Sequence, residues 1–354
     1  MRLLRLNSRR SQGLKINLYS IKYRKAQDSL HTPFPIDLVY MWVDGDDPVW
    51  RAKREKYIGG NTSQSRQTTT EARWRNNDEL RYSLRSVEMY APWINHIFII
   101  TDNQRPEWLD VDNPKITIID HTQIFPAEAL PTYNSTAIES RIYKIPRLSE
   151  HFLLGNDDTF FSAPVTPDMF FTEDGRSIVR LRKFNRIKWV GRGNYTRMLW
   201  HMQELAYQLT GKMVPYTPHH NIDSYRKSDI EHCVSLFKEE WERTAYSRFR
   251  KDDDMHRSFV AYYTIATGQA VKRMVRFTNG IKGIGGFIRA VLTNRYAMDS
   301  YRIRANKSDY NAVMRKFSPL MICVNDSERV TEDDCRRMVE FLNQMYPHKS
   351  SFEK

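Results

Sequence analysis

The sequence predicts an α/β fold, a largely parallel sheet flanked by helices with an added helical portion. Three observations support this. Short apolar segments rich in β-branched residues alternate with helix-period segments through the first half of the chain. Helical patterns dominate from about Asn185 onward. Several apolar segments also end abruptly in Asp, Asn or Gly, as strands do at the carboxyl edge of an open α/β sheet.

The elements follow in order. After Pro33 and Pro35, the run from Ile36 to Val43 reads as a buried strand. The polar stretch Gly59 to Thr70 reads as a mobile loop, and the next segment as a helix with Leu80, Leu84 and Val87 at i, i+4 and i+7. Strands are expected at Ile97–Thr101, Ile116–Ile119 and His151–Gly155, with a helix at Thr136–Ile145 between the last two. Further helices are expected near 196–210, 229–239 and 253–267, then a returning strand at Leu320–Val324. Thr331 and Asp334 form a capping-box pattern opening a last helix, whose Cys335, Met338, Val339, Leu342 and Met345 share one core-facing side.

With 354 residues and 40% hydrophobic content the chain can bury a substantial core. No apolar run approaches the roughly 18 to 20 residues of a membrane span. Cys233, Cys323 and Cys335 are an odd set without Cys-x-x-Cys spacing, which argues for reduced thiols rather than a disulfide framework or a thiolate zinc site. The opening Met-Arg-Leu-Leu-Arg-Leu is interrupted by Asn7, Ser8, Arg9 and Arg10, a poor fit to a secretory signal, so a cytoplasmic protein is expected.

The net charge of +13 is unevenly spread, since residues 1–30 hold eight Lys or Arg against Asp28 alone. With Leu14, Ile16, Leu18 and Ile21 interleaved, this tail suits either peripheral contact with the anionic inner face of a plasma membrane or a solvated disordered state. The rest of the chain shows no basic face interleaved with aromatics, so nucleic acid is not the expected partner.

Three places can carry chemistry. In Trp42-Val43-Asp44-Gly45-Asp46-Asp47-Pro48 a strand runs into a turn with three carboxylates, a pattern shared with plain Asp/Gly/Pro turns. In Phe152-Leu153-Leu154-Gly155-Asn156-Asp157-Asp158 a strand ends in an amide and two adjacent acids. Such acids suit a divalent cation, with helix N-capping as the alternative. Pro218-His219-His220-Asn221-Ile222-Asp223 is followed by Arg248, Arg250 and the run Asp252-Asp253-Asp254; either histidine can accept a proton and the arginines can bind phosphate. A P-loop, a Gly-x-Gly-x-x-Gly fingerprint, a Gly-x-Ser-x-Gly elbow and His-Glu-x-x-His are all missing.

Together these segments resemble the signature blocks of the Stealth family, sugar-phosphate transferases of bacterial capsule synthesis related to the animal N-acetylglucosamine-1-phosphotransferase. The run Ile36 to Asp47 resembles the first block, with Asp44 where many members carry Asn. The second is matched by Asp78 to Glu88, Ala91-Pro92-Trp93-Ile94 and Thr101 to Leu109. The third is matched by Leu130 to Glu139, Ile145 to Glu150 and the Asn156-Asp157-Asp158 turn, and the fourth by Cys323-Val324-Asn325-Asp326.

The resemblance implies a glycosyltransferase-A-like or Rossmann-like catalytic domain over 33–354 behind a 1–32 tail. Its parts would be a nucleotide-binding region at 36–184, a mainly helical region at 185–318, and a returning strand and helix at 319–354. It implies transfer of a sugar 1-phosphate from a UDP-sugar to a glycan hydroxyl, with release of UMP. A conventional glycosyltransferase releasing UDP is the alternative. Trp42, Val43, Asp44 and Gly45 would hold the nucleotide, and Asn134, Ser135, Glu139 and Asn156 would shape the donor pocket. Arg81, Arg85, Arg248 and Arg250 would contact phosphate, Asp157 and Asp158 would bind Mg²⁺ or Mn²⁺, and His219 or His220 would be the base. Arg81, Arg85 and Glu88 also sit at helical spacings that permit ion pairs within their helix. A homodimer is compatible with the resemblance, and so is peripheral contact of the basic tail with the inner membrane or with capsule machinery.

Overall fold

The computed structural model describes residues 33–58, 74–183, 194–276, 281, 283–307 and 309–354. The basic tail and the expected 59–70 loop lie outside these residues.

The first strand, β1 (Ile36–Met41), is followed by helices α1 (Pro48–Ile58) and α2 (Glu79–Tyr90). Then come β2 (Ile97–Thr101), β3 (Ile116–Asp120), the short helix α3 (Ser135–Glu139), β4 (His151–Asn156) and β5 (Thr159–Phe161). β6 (Ser177–Lys183), α4 (Asn194–Thr210), β7 (Tyr216–Pro218) and β8 (Asp223–Arg226) follow. The chain continues through α5 (Lys227–Leu236), α6 (Lys238–Ala245), α7 (Ser258–Thr267), β9 (Ala270–Met274), α8 (Gly283–Thr293) and β10 (Ser300–Arg304). It closes with α9 (Tyr310–Phe317), β11 (Met321–Asn325) and α10 (Glu332–Met345).

The main sheet has the order β3-β2-β1-β4-β8, parallel except for β8 at its edge. Because period-2 side chains alternate between faces, β1 packs Val39 on one side and Leu38 and Tyr40 on the other. Val39 joins Phe98, Phe152 and Leu154 against Met202 of α4 and Phe259 of α7. Leu38 and Tyr40 join Ile97, Ile99 and Leu153 against Leu80, Leu84 and Val87 of α2, the stripe expected from their spacing. This is the predicted α/β architecture, with helices on both faces.

Two three-stranded sheets flank the main one, ordered β10-β11-β5 and β7-β6-β9. Phe160, Ile322 and Val324 of the first pack against Met338, Phe341 and Leu342 of α10, and the Thr331–Asp334 capping box forms as expected. Ser83 ties α2 to this sheet, since its Oγ lies 2.7 Å from Tyr40 Oη and donates to the Thr159 carbonyl at 2.6 Å.

Some expected boundaries are corrected. The helix expected over Thr136–Ile145 is only α3 followed by a 3-10 turn at Ile142–Lys144. Ser140 turns its hydroxyl back onto the Ala137 carbonyl, and Pro146 keeps Ile145 out of helical geometry. The helix near 229–239 is two helices broken at Phe237. The one expected from 253 begins at Ser258, because the side chains of Asp254 and His256 accept from the backbone of Lys251 and Ser258. The region 185–318 also carries β7, β8, β9 and β10, each three to five residues long and too polar to stand out from the sequence.

Candidate active site

In the order β3-β2-β1-β4, the chain moves outward from β1 in one direction and then returns to its other side, so β1 and β4 flank a topological switch point. Met41 and Asn156 end these strands as register partners. A cavity of about 790 Å³ opens there, lined by Trp42 and Val43 after β1 and by Asn156, Asp157 and Asp158 after β4. The carboxyl end of β11 brings Asn325 and Asp326 to the same cavity, and β10 brings Arg302.

Asp157 and Asp158 form the turn between β4 and β5, not the start of a helix, so the capping alternative does not apply. The turn is closed by Thr159 Oγ1 donating to the Asn156 carbonyl at 2.6 Å and by Val324 N donating to the Asp158 carbonyl at 2.9 Å. Gly155 sits close beside it: a Cβ there would stand 3.0 Å from Tyr40 Cε1 and 3.1 Å from Thr159 Oγ1, tighter than ordinary contact. Desolvation, then the charges of Asp158 and Glu79, push the Asp157 carboxyl well above its usual range. Desolvation likewise raises Asp158 to about 6, with Cys323 Sγ donating to its Oδ2 at 3.4 Å.

Asp158 Oδ1 and Asn156 Oδ1 are buried without a hydrogen-bond partner. Buried oxygens with unused lone pairs beside two repelling acids are what a divalent cation satisfies. Asp158, His220 and Cys323 each present a ligand atom within 4.8 Å of the others. The acids and the amide oxygen suit Mg²⁺ or Mn²⁺, the hard cations that carboxylate and carbonyl oxygens favour. The residues therefore fit a divalent ion.

The two histidines are separated by the fold. His220 lines the cavity with its Nε2 3.3 Å from Asn156 Nδ2. Desolvation, then Arg257 and Arg302, push its pKa well below the usual imidazole range, so it is neutral at pH 7. His219 is outside the lining, its Nδ1 3.0 Å from Ser300 Oγ, and is pushed down to about 4 by desolvation and by Arg182 and Arg180. Arg250 and Ser135 line the cavity and are hydrogen-bonded to each other. Glu139 lies between Arg257 Nε at 3.4 Å and His256 Nε2 at 3.5 Å, its carboxyl raised by burial despite the arginine.

Besides His219, six expected site residues lie outside the cavity lining. Arg81 and Arg85 both donate to Glu353, and Arg85 also to the Tyr346 carbonyl, so neither these nor intrahelical pairs bring them to the cavity. Arg248 donates to the carbonyls of Pro131 and Leu130 and covers the Tyr57 ring. Asn134 caps α3 through the Thr136 amide and donates to Asp254 Oδ2. Asp44 and Gly45 build the turn into α1: Asp44 Oδ1 accepts from Asp46 N, and Gln104 bridges the Asp44 carbonyl and Asp47. At Gly45 a Cβ would stand 2.0 Å from the Trp74 carbonyl oxygen, so its role is close backbone approach.

The cavity also holds residues absent from the sequence-based set, notably Glu79, Tyr195, His256, Arg257 and Arg302. The pair His256-Arg257 just before an apolar helix was a usable signal. Arg302 alternates with apolar positions along a short strand and left none.

Residues 34–62 match the profile described as Stealth protein CR1, conserved region 1, and residues 73–179 match Stealth protein CR2, conserved region 2. The exopolysaccharide phosphotransferase cps2G of Lactiplantibacillus plantarum is 31% identical, over 91% of this chain and 97% of its own. The chain belongs to the Stealth family. Another Stealth relative, the receptor polysaccharide phosphotransferase WefC of Streptococcus oralis, is 30% identical over 90% of this chain and 99% of its own. The exopolysaccharide phosphotransferase SCO6023 of Streptomyces coelicolor is 40% identical over 69% of this chain, which spans 42% of that relative's length.

Among solved structures, the galactosyltransferase LgtC in complex with donor and acceptor sugar analogs is similar with a TM-score of 0.44 and 9% identity. The likeness covers 89% of this chain and 97% of that one, and it is too loose to bear on the site. The two Stealth regions take in Trp42, Val43, Ser135, Glu139 and the Asn156–Asp158 turn, whereas His220 and Arg250 lie beyond both.

Proposed function

We propose that this Stealth protein transfers a sugar 1-phosphate from a UDP-sugar to a hydroxyl of a glycan acceptor in the synthesis of capsular or other cell-surface polysaccharide. The carrying observation is that two acids, a neutral histidine and Arg250 share one cavity at the switch point between β1 and β4. The names of the relatives, exopolysaccharide and receptor polysaccharide phosphotransferases, support the same reading.

In this reading the acceptor oxygen bonds to the sugar-bearing phosphorus, the bond from that phosphorus to the bridging oxygen breaks, and UMP leaves with that oxygen. His220 takes the hydroxyl proton at Nε2, exchanging its 3.3 Å contact with Asn156 Nδ2 for the acceptor hydroxyl. Arg250, fixed by Ser135, and Arg257, braced by Glu139, supply positive charge against the diphosphate. Asp157, Asp158 and Asn156 Oδ1 would hold Mg²⁺ or Mn²⁺, which when bound neutralises diphosphate charge. Trp42 and Val43 offer the nucleoside an apolar floor.

Incubation with a panel of UDP-sugars, an acceptor oligosaccharide and Mn²⁺, followed by chromatography of the nucleotide product, tests this. UMP together with a phosphodiester resonance by phosphorus NMR is expected. UDP with no phosphodiester would make the protein a conventional glycosyltransferase.

A further inference from the structure

Helix α8 is inverted relative to an ordinary surface helix. Ile284 (81% exposed), Phe287 (48%), Ile288 (52%), Val291 (53%) and Leu292 (81%) recur at i, i+3, i+4, i+7 and i+8, forming one apolar stripe that faces away from the protein. The buried position is Ala290, on the far side of the helix. A contiguous exposed stripe of this kind marks a surface that something covers.

The charge around it says what. From Lys272 to Met298 the chain has no Asp or Glu and six Lys or Arg residues, of which Arg273 is paired with Asp299. Arg289 and Arg295 are exposed on and just after α8, and Lys272 is exposed on β9. A second copy would bring two such acid-free segments face to face. Residues 1–30, with their own basic excess, would be repelled as well. An anionic lipid surface complements both the apolar stripe and the cations, the combination that holds amphipathic helices in a membrane interface. No helix among the described residues is long and apolar enough to cross a membrane, so contact through α8 would be peripheral.

We propose that α8 is a docking helix that seats the protein on a membrane rich in anionic lipid. Ile284, Ile288 and Leu292 enter the acyl boundary and Arg289 and Arg295 meet headgroup phosphates. Only residues 294–299 separate α8 from β10, a reach of on the order of 25 Å at full extension. β10 presents Arg302 to the cavity, so docking through α8 holds the cavity close to the bilayer.

The test is flotation of the full chain with vesicles of phosphatidylglycerol and phosphatidylcholine, against phosphatidylcholine alone. The wild type should partition onto the anionic vesicles at least tenfold more strongly. The double variant Ile288→Glu/Leu292→Glu should lose at least tenfold of that binding with an unchanged circular dichroism melt. Phe287→Trp should give a blue-shifted emission only with anionic vesicles, a readout that does not depend on the double variant folding. Binding that survives unchanged in the double variant would place the contact in the basic tail and overturn the assignment. So would equal flotation on both vesicle types, or a dimer in light scattering that the double variant abolishes while neither protein binds vesicles.

Discussion

Arg85 grips Glu353 with two donors, Nε to Oε1 at 2.7 Å and Nη2 to Oε2 at 2.8 Å, tying α2 to a residue 268 positions later in the chain. Arg81 adds a third bond to the same carboxylate at 2.6 Å, and the Ser350 amide a fourth at 2.8 Å. Burial alone would raise the Glu353 carboxyl, but these donors outweigh it and hold it down to about 2.

Glu353→Gln should therefore destabilise the fold by roughly 3 kcal/mol, as expected when a buried ion pair loses one partner. Because the folded pKa is depressed, the stabilisation is complete above the unfolded value near pH 4.5 and is lost as pH falls toward 2. Urea midpoints of wild type and variant between pH 6 and pH 2.5 should converge at the acid end. A constant gap across that range would show that the pair does not act through its charge.

The two adjacent histidines should behave differently. His220→Ala should lower kcat at least a hundredfold, the usual scale of a general base, and His219→Ala less than tenfold. The reason is that only His220 faces the cavity, while His219 is turned onto Ser300. Steady-state kinetics on both variants decide it; equal losses would remove His220 from its assigned role.

Asp158 should impose an acid limb on activity. With its carboxyl raised to about 6, it is increasingly protonated below that pH, and a protonated acid is a poor cation ligand. Mn²⁺ affinity measured by calorimetry should fall from pH 7.5 to pH 5.5. Because a raised acid pKa means that the ionised form costs the folded state stability above the unfolded pKa, Asp158→Asn should stabilise the metal-free protein at pH 8. A gain of about 1 to 2 kcal/mol is expected alongside at least a hundredfold loss of turnover. A variant less stable than the wild type would contradict this sign.

Gly45→Ala places a methyl group against the Trp74 carbonyl. It should cost about 1 to 3 kcal/mol in thermal unfolding, as overpacking does, and weaken donor binding because Trp74 lines the cavity. An unchanged KM for the donor would separate Gly45 from the site altogether.

Much of the main sheet was legible without coordinates. β1, β2, β3 and β4 announce themselves as apolar runs closed by polar residues, and α2 and α10 by their stripes and, in α10, its capping box. Asn156, Asp157 and Asp158 were legible for the same reason, since a strand that ends in acids points them to the sheet's carboxyl edge. Short strands such as β8, with the sequence Asp-Ser-Tyr-Arg, were not, because four residues of mixed polarity fit many conformations until a neighbour such as β4 pairs with them.

The Asn156-Asp157-Asp158 turn, its strand and its neighbours' helical stripes were thus determined by the sequence alone, because periodicity and abrupt strand ends act over a few residues. Only the tertiary structure decided which distant polar groups join that turn. It drew His220, Arg250 and Arg302 into the cavity and took Arg81 and Arg85 away to Glu353. An arginine's long side chain can answer any nearby carboxylate, and which one is near is set by how the sheets and helices pack.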